Sequence, residues 1–195
     1  MKLHDLTLSG NCYKVRLFAA LARIDLDLVP VDLADGEHRQ APFMALNPLA
    51  QVPVLEDGKH VVRDAQAILV HLAGTYGGLA WWPGEAAAQA QIVQWLSFAA
   101  NEVQHSVCAA RLVELFGYEL DKPAALEKSV RVLTLLDAHL QQHDWLAIGR
   151  PTIADCAVYP YVALAPDGGV DLQPYPQVQR WLARIEALPG YLPKP

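Results

Sequence analysis

The sequence predicts an α/β domain followed by an all-helical domain. Up to Tyr76 the apolar residues switch between a period of two and a helical period, whereas from Glu85 onward only the helical period remains. Between them lies a stretch rich in turn formers, Gly77-Gly78 to Pro83-Gly84, that also holds the bulky Trp81 and Trp82. The boundaries that follow are residues 1–77 for the first domain, 78–84 for a linker and 85–195 for the helical domain.

Lys2 to Leu8 reads as a strand, and Asn11 to Arg23 as a helix with Val15, Phe18, Leu21 and Ala22 on one apolar stripe. Leu28 to Leu33 returns to strand, and Gln40 to Leu46 is a short helix. Val52-Pro53-Val54-Leu55 leads into Glu56-Asp57-Gly58-Lys59, an Asp-Gly hairpin turn, with a partner strand around His60 to Val62. A helix follows from Asp64 to Tyr76. Strand, helix, strand, helix, strand, strand, helix is a βαβ unit joined to a hairpin and a closing helix, a thioredoxin-like order. The second half reads as helices over Ala86–Phe116, Ala124–Gln142, Thr152–Leu164 and Gln177–Leu188.

At 53% hydrophobic and 18% charged residues, the 195-residue chain has enough apolar sequence for a sizeable core and too much for disorder. The net charge is −6, and Lys14, Arg16 and Arg23 are scattered, so neither nucleic acid nor anionic lipid is expected as a partner. Met-Lys-Leu-His-Asp opens no apolar run of signal-peptide length, and no segment approaches the ~20 apolar residues of a spanning helix. A cytoplasmic protein is expected. Cys12, Cys108 and Cys156 are far apart and form no Cys-x-x-Cys pair, which argues against a disulfide framework and a structural zinc site; no metal is expected.

Ser9-Gly10-Asn11-Cys12 falls where the first strand gives way to a helix. Unpaired backbone N–H groups and the helix dipole make such a place an anion site. Gly10 lets a ligand approach the backbone, and Ser9 and Asn11 offer uncharged donors suited to holding a thiolate. A plain helix cap, which contributes about 1 kcal/mol, explains the same residues. Cys12 shares the apolar stripe of Val15, Phe18 and Ala22 and is expected to face the core. Pro53 opens a strand; a cis Val52-Pro53 bond would leave the Val52 backbone free to pair with a peptide-like ligand, and an ordinary loop proline is the alternative. Asp64 begins a helix, where it either caps the end or pairs with a ligand ammonium. Thr152-Ile153-Ala154-Asp155 has capping-box spacing and reads as a folding element.

Taken in order, these segments resemble the glutathione transferases nearly end to end. Ser9-Gly10-Asn11-Cys12-Tyr13-Lys14-Val15-Arg16-Leu17 is similar to the active-site stretch of serine-type and related bacterial members. Gly36-Glu37-His38-Arg39 through Asn47-Pro48-Leu49-Ala50-Gln51-Val52-Pro53-Val54-Leu55 resembles their second segment, Asp64-Ala65-Gln66-Ala67-Ile68 their acidic-Ser-x-x-Ile segment, and Thr152 to Asp155 their capping box.

The resemblance implies glutathione as co-substrate, Ser9 as the hydroxyl that hydrogen-bonds its sulfur, and Asn11 beside it. It implies His38 and Gln51 at the glycyl carboxylate, Val52 with Pro53 as the main-chain clamp on the cysteinyl residue, and Asp64 at the γ-glutamyl ammonium. Ala65 departs from the pattern by replacing a serine, which removes a hydroxyl from the γ-glutamyl carboxylate while leaving a backbone N–H. A small electrophile is expected against the long helix of the second domain, where Phe98, Asn101, Glu102 and His105 share a helical spacing, with Arg111 further along. Conjugation is the leading reading. A reductase or peroxidase acting through Cys12, an isomerase of maleylacetoacetate type, and a glutathione-binding module without turnover are the alternatives. A homodimer is also implied.

Overall fold

The computed structural model describes residues 1–195. Its sheet has strands β1 (Lys2–Asp5), β2 (Asp27–Pro30), β3 (Val54–Asp57) and β4 (His60–Arg63) in the order β2-β1-β3-β4. β1 runs parallel to β2, pairing Leu3 with Leu28, and antiparallel to β3, pairing Leu3 with Leu55. The Asp57-to-His60 hairpin joins β3 to β4 in antiparallel register. Helices α1 (Gly10–Ala22) and α3 (Ala65–Leu72) cover one face and α2 (Ala41–Leu46) the other. Successive strand residues point to opposite faces. Leu55 therefore joins the large core, while Val54 packs with Val31 and Phe43 in a small cluster under α2. This is a thioredoxin-like domain.

The helical part begins earlier than the expected linker allows, because Gly78–Trp81 form a helical turn, α4. Trp81 sets its ring against Phe18 of α1 at 5.2 Å between centroids, so this segment is packed structure. α5 (Ala86–Phe98) and α6 (Ala109–Phe116) are joined without a break by wide, π-type turns over Ala99–Cys108. α7 (Lys122–Leu140), α8 (Ile153–Ala163) and α9 (Pro176–Glu186) complete the bundle, and no helix is long and apolar enough to cross a membrane.

α8 is buried along its whole length and packs on α1. Thr152 and Asp155 form the expected capping box at its start. α8 changes the expected character of α1: where the sequence shows one apolar stripe, burial runs from Cys12 to Ala19 on all sides and takes in Lys14 and Arg16. Arg16 answers its burial by pairing with Asp5 of β1 and donating to the Thr7 carbonyl at 2.7 Å. The expected strand to Leu8 stops at Asp5, since Leu6 turns into a cavity and Leu8 is 47% exposed.

Candidate active site

Ser9 caps α1. Its backbone is extended, and its Oγ accepts the Cys12 N–H at 3.3 Å. A hydroxyl that accepts through a lone pair keeps its proton to donate elsewhere, so capping and ligand recognition are compatible in one side chain. The N–H groups of Gly10 and Asn11 have no partner in the chain and remain at the positive end of the helix. Only glycine fits at position 10, because a Cβ there would lie 2.4 Å from the Tyr161 ring of α8.

This helix start opens into a cavity of about 410 Å³, within the range of small-ligand sites. Ser9, Asn11, His38, Gln51, Val52 and Asp64 all line it, although the chain brings them from separate loops. Asn11 Oδ1 and His38 Nδ1 are buried without a hydrogen-bond partner, a costly state that a bound polar ligand relieves. The Val52-Pro53 bond is cis, and neither backbone group of Val52 is taken by another part of the chain. The Asn47 side chain holds this loop by donating to the Gln51 carbonyl at 2.7 Å. Asp64 caps α3, accepting from the Gln66 and Ala67 N–H groups, with its backbone at φ 75° and ψ 130°. A non-glycine residue there stores roughly 1–3 kcal/mol of strain, which surrounding structure must hold.

Other expected site residues fall outside the lining. Pro53 is buried behind Val52, and Ala65 is 2% exposed with its methyl in the core, so the side chain that reaches the wall is Gln66. Asn101 and His105 are exposed and hydrogen-bonded on their own helix, Asn101 to Glu102 at 2.9 Å and His105 to the Asn101 carbonyl at 2.8 Å. The physical reason is the run of π-type turns. A helix that takes more than 3.6 residues per turn rotates each later side chain away from its expected bearing. Ala100, Gln104, Leu112 and Phe116 face the cavity instead, with Tyr118, Tyr161 and the expected Arg111. A run of i, i+4 burial through Ala99, Val103 and Val107 marks that slower rotation, and no sequence motif does.

Cys12 is fully buried and does not line the cavity, and its sulfur accepts the Leu6 N–H at 3.4 Å. Burial pushes its thiol up to about 12, so it stays protonated near neutral pH.

The fold and the cavity together define a two-part protein that presents a helix N-terminus to a small ligand at the seam between a thioredoxin-like sheet and a bundle. The family of the glutathione S-transferase N-terminal domain matches residues 1–74, and that of the C-terminal domain matches residues 98–189. The chain is 30% identical to glutathione S-transferase 2 of Anopheles gambiae, covering 93% of this chain and 88% of that protein. It is 31% identical to glutathione S-transferase 3 of Zea mays, covering 98% and 91%. A crystal structure of a possible glutathione S-transferase from Rhodopseudomonas palustris is 34% identical and superposes with a TM-score of 0.89 over 99% of this chain and 97% of that one. The chain belongs to the glutathione S-transferase family, and glutathione transfer is the activity that membership gives it.

Proposed function

We propose that the chain conjugates glutathione to a small electrophile, with the Ser9 hydroxyl donating to the glutathione sulfur. The supporting observation is the single cavity that gathers Ser9, Asn11, His38, Gln51, Val52 and Asp64 at the start of α1. A free thiol near pKa 8.5 is only a few per cent thiolate at pH 7. Each unit by which the Ser9 donor and the unpaired N–H groups lower that pKa stabilises the anion by about 1.4 kcal/mol. The thiol proton passes to water, and the sulfur forms a bond to the electrophilic carbon as that carbon's leaving group departs with its bonding pair, or as the π pair of an activated alkene moves onto its neighbour and is protonated by water. His38 and Gln51 hold the glycyl end of glutathione, the Val52 backbone its cysteinyl amide, and Asp64 its ammonium. Gln66 stands in for the hydroxyl that Ala65 lacks at the γ-glutamyl carboxylate. Residues 1–77 supply glutathione binding, and residues 85–195 shape the electrophile side.

Ser9→Ala is expected to lower the conjugation rate about ten- to a thousand-fold, as the loss of a donor to a reacting anion does, with Cys12→Ala near wild type. Steady-state rates across pH decide it. A crippled cysteine variant beside an active serine variant would move the chemistry to a mixed disulfide at Cys12.

The same reading makes the protein a cytoplasmic homodimer. Three free, buried cysteines suit a reducing compartment. An isologous pair would cover exposed apolar side chains such as Leu49 at 59% and Leu79 at 73%. Sedimentation at micromolar concentration should give twice the 21.4 kDa of one chain; a species of one chain's mass alone would rule the pair out.

A further inference from the structure

Arg111 projects from α6 into the wall of the cavity and is 2% exposed. Its Nε–H donates to Asp167 at 2.9 Å and its Nη1 to the carbonyl of Leu8, the residue before Ser9, also at 2.9 Å. A guanidinium carries five N–H donors. Nη2 has no acceptor in the chain and is open to the cavity, where an anion can meet its donors. Asp167 is 38% exposed on its side chain, against 2% for Arg111, so water screens the carboxylate more than the cation.

The surroundings of Arg111 are apolar. Its Cζ lies 5.9 Å from the Phe116 ring centroid, and Leu112, Tyr118 and Tyr161 complete this side of the cavity. Phe116 and Tyr118 are 37% and 52% exposed at the rim. These groups come from the helical part, apart from the loops of His38, Gln51, Val52 and Asp64 that the proposed function gives to glutathione.

We infer that Arg111 is an anion-recognition residue for the second substrate, which is an electrophile with a flat apolar body and a carboxylate. The planar fork of a guanidinium matches a carboxylate. Asp167, already paired with it, opposes a doubly charged phosphate. The ring or alkene of the substrate lies against Phe116 and Tyr118, and Arg111, anchored one residue before Ser9, sets the reactive carbon beside the sulfur. This inference rests on the transferase reading above and specifies its substrate class.

The test pairs 4-chloro-3-nitrobenzoate with its methyl ester. In both, the thiolate forms a C–S bond to the ring carbon, the C–Cl bond breaks, and chloride leaves with the electron pair. Rates are divided by the uncatalysed rates, since the ester activates the ring more strongly. The wild-type protein should favour the acid, with a KM about tenfold or more below that of the ester. In Arg111→Gln that ratio should collapse toward one while the glutathione KM stays within about twofold; Arg111→Lys should keep part of the preference. Circular dichroism establishes that each variant folds, and the wild-type comparison stands if Arg111→Gln does not. Calorimetric titration of acid and ester measures the preference without turnover. If neither compound is conjugated but the acid still binds through Arg111, the transferase reading falls and the anion site stands. Equal affinity of the wild type for acid and ester, a parallel loss of both in Arg111→Gln, or a shift in glutathione KM instead would overturn the inference.

Discussion

Lys14 is fully buried on α1, its ammonium 5.0 Å from the Tyr161 ring centroid and without a hydrogen-bond partner. Burial brings its pKa down to about 8, against the opposite pull of Cys108 and Asp64. The ring face offsets part of the cost, by about 2 kcal/mol in such a dry site. Because the folded pKa lies below the ordinary 10.5, the unfolded chain binds more protons between the two values, and the stability of the fold gains as pH rises from 8 through 10.5. Lys14→Met keeps the length and removes the charge. It is expected to be more stable than wild type at pH 7 by about 1–3 kcal/mol, with the gap closing near pH 10. Urea unfolding at the two pH values measures it; a variant destabilised at pH 7, or a gap independent of pH, would mean the ammonium is compensated. In the sequence Lys14 is one of several scattered basic residues. Its burial follows from α8, which lies over α1 and has no signature in the local sequence of either helix.

At the scale of the element, α8 shows how far a local motif reaches. Thr152 and Asp155 make the capping box that the sequence announces, but Asp155 also accepts from the Leu146 N–H at 3.1 Å and the Trp181 indole at 3.0 Å. Burial pushes its carboxyl up to about 6 while these donors pull the other way. Asp155→Ala would strand buried donors from α8, α9 and the loop before α8, at a cost of roughly 3–5 kcal/mol in thermal or urea unfolding. A cost under about 1 kcal/mol, that of a simple cap, would mean the network contributes nothing. Caps, the Asp-Gly hairpin and the order of strands and helices were legible because each rests on local chemistry. So were the cavity residues Ser9, Asn11, His38, Gln51, Val52 and Asp64, through the resemblance. Asn101 and His105 were misplaced because a spacing of 3.6 residues cannot register the π-type turns between Ala99 and Cys108. That segment packs against α7 and α8, which no local spacing in the sequence records.

For the whole molecule, the sequence divides the chain more sharply than its packing does. One cluster of 43 buried residues holds Leu3, Phe18 and Leu69 from the sheet part together with Val103, Leu136 and Trp181 from the bundle, which makes a single core. The Tyr13 hydroxyl donates to the Leu192 carbonyl at 2.6 Å, and Arg111 holds the Leu8 carbonyl, so both the chain's end and its middle are tied to the first helix turn and its approach. Residues 1–77 alone would expose the face of α1 that α8 covers, leaving Tyr13, Lys14 and the Phe18 ring without Tyr159, Tyr161 and Trp81. A domain of that size buries too small a share of its surface to tolerate such a loss. The protein is therefore expected to unfold in urea in one transition, with tryptophan fluorescence and far-ultraviolet circular dichroism coincident. The comparison is sensitive because all five tryptophans, Trp81, Trp82, Trp95, Trp145 and Trp181, lie beyond residue 77, whereas circular dichroism reports the whole chain. Residues 1–77 expressed alone should show no cooperative transition. Separate fluorescence and dichroism midpoints, or a folded fragment, would show that the sheet part is stable by itself and that the shared core is only an interface between two independent domains.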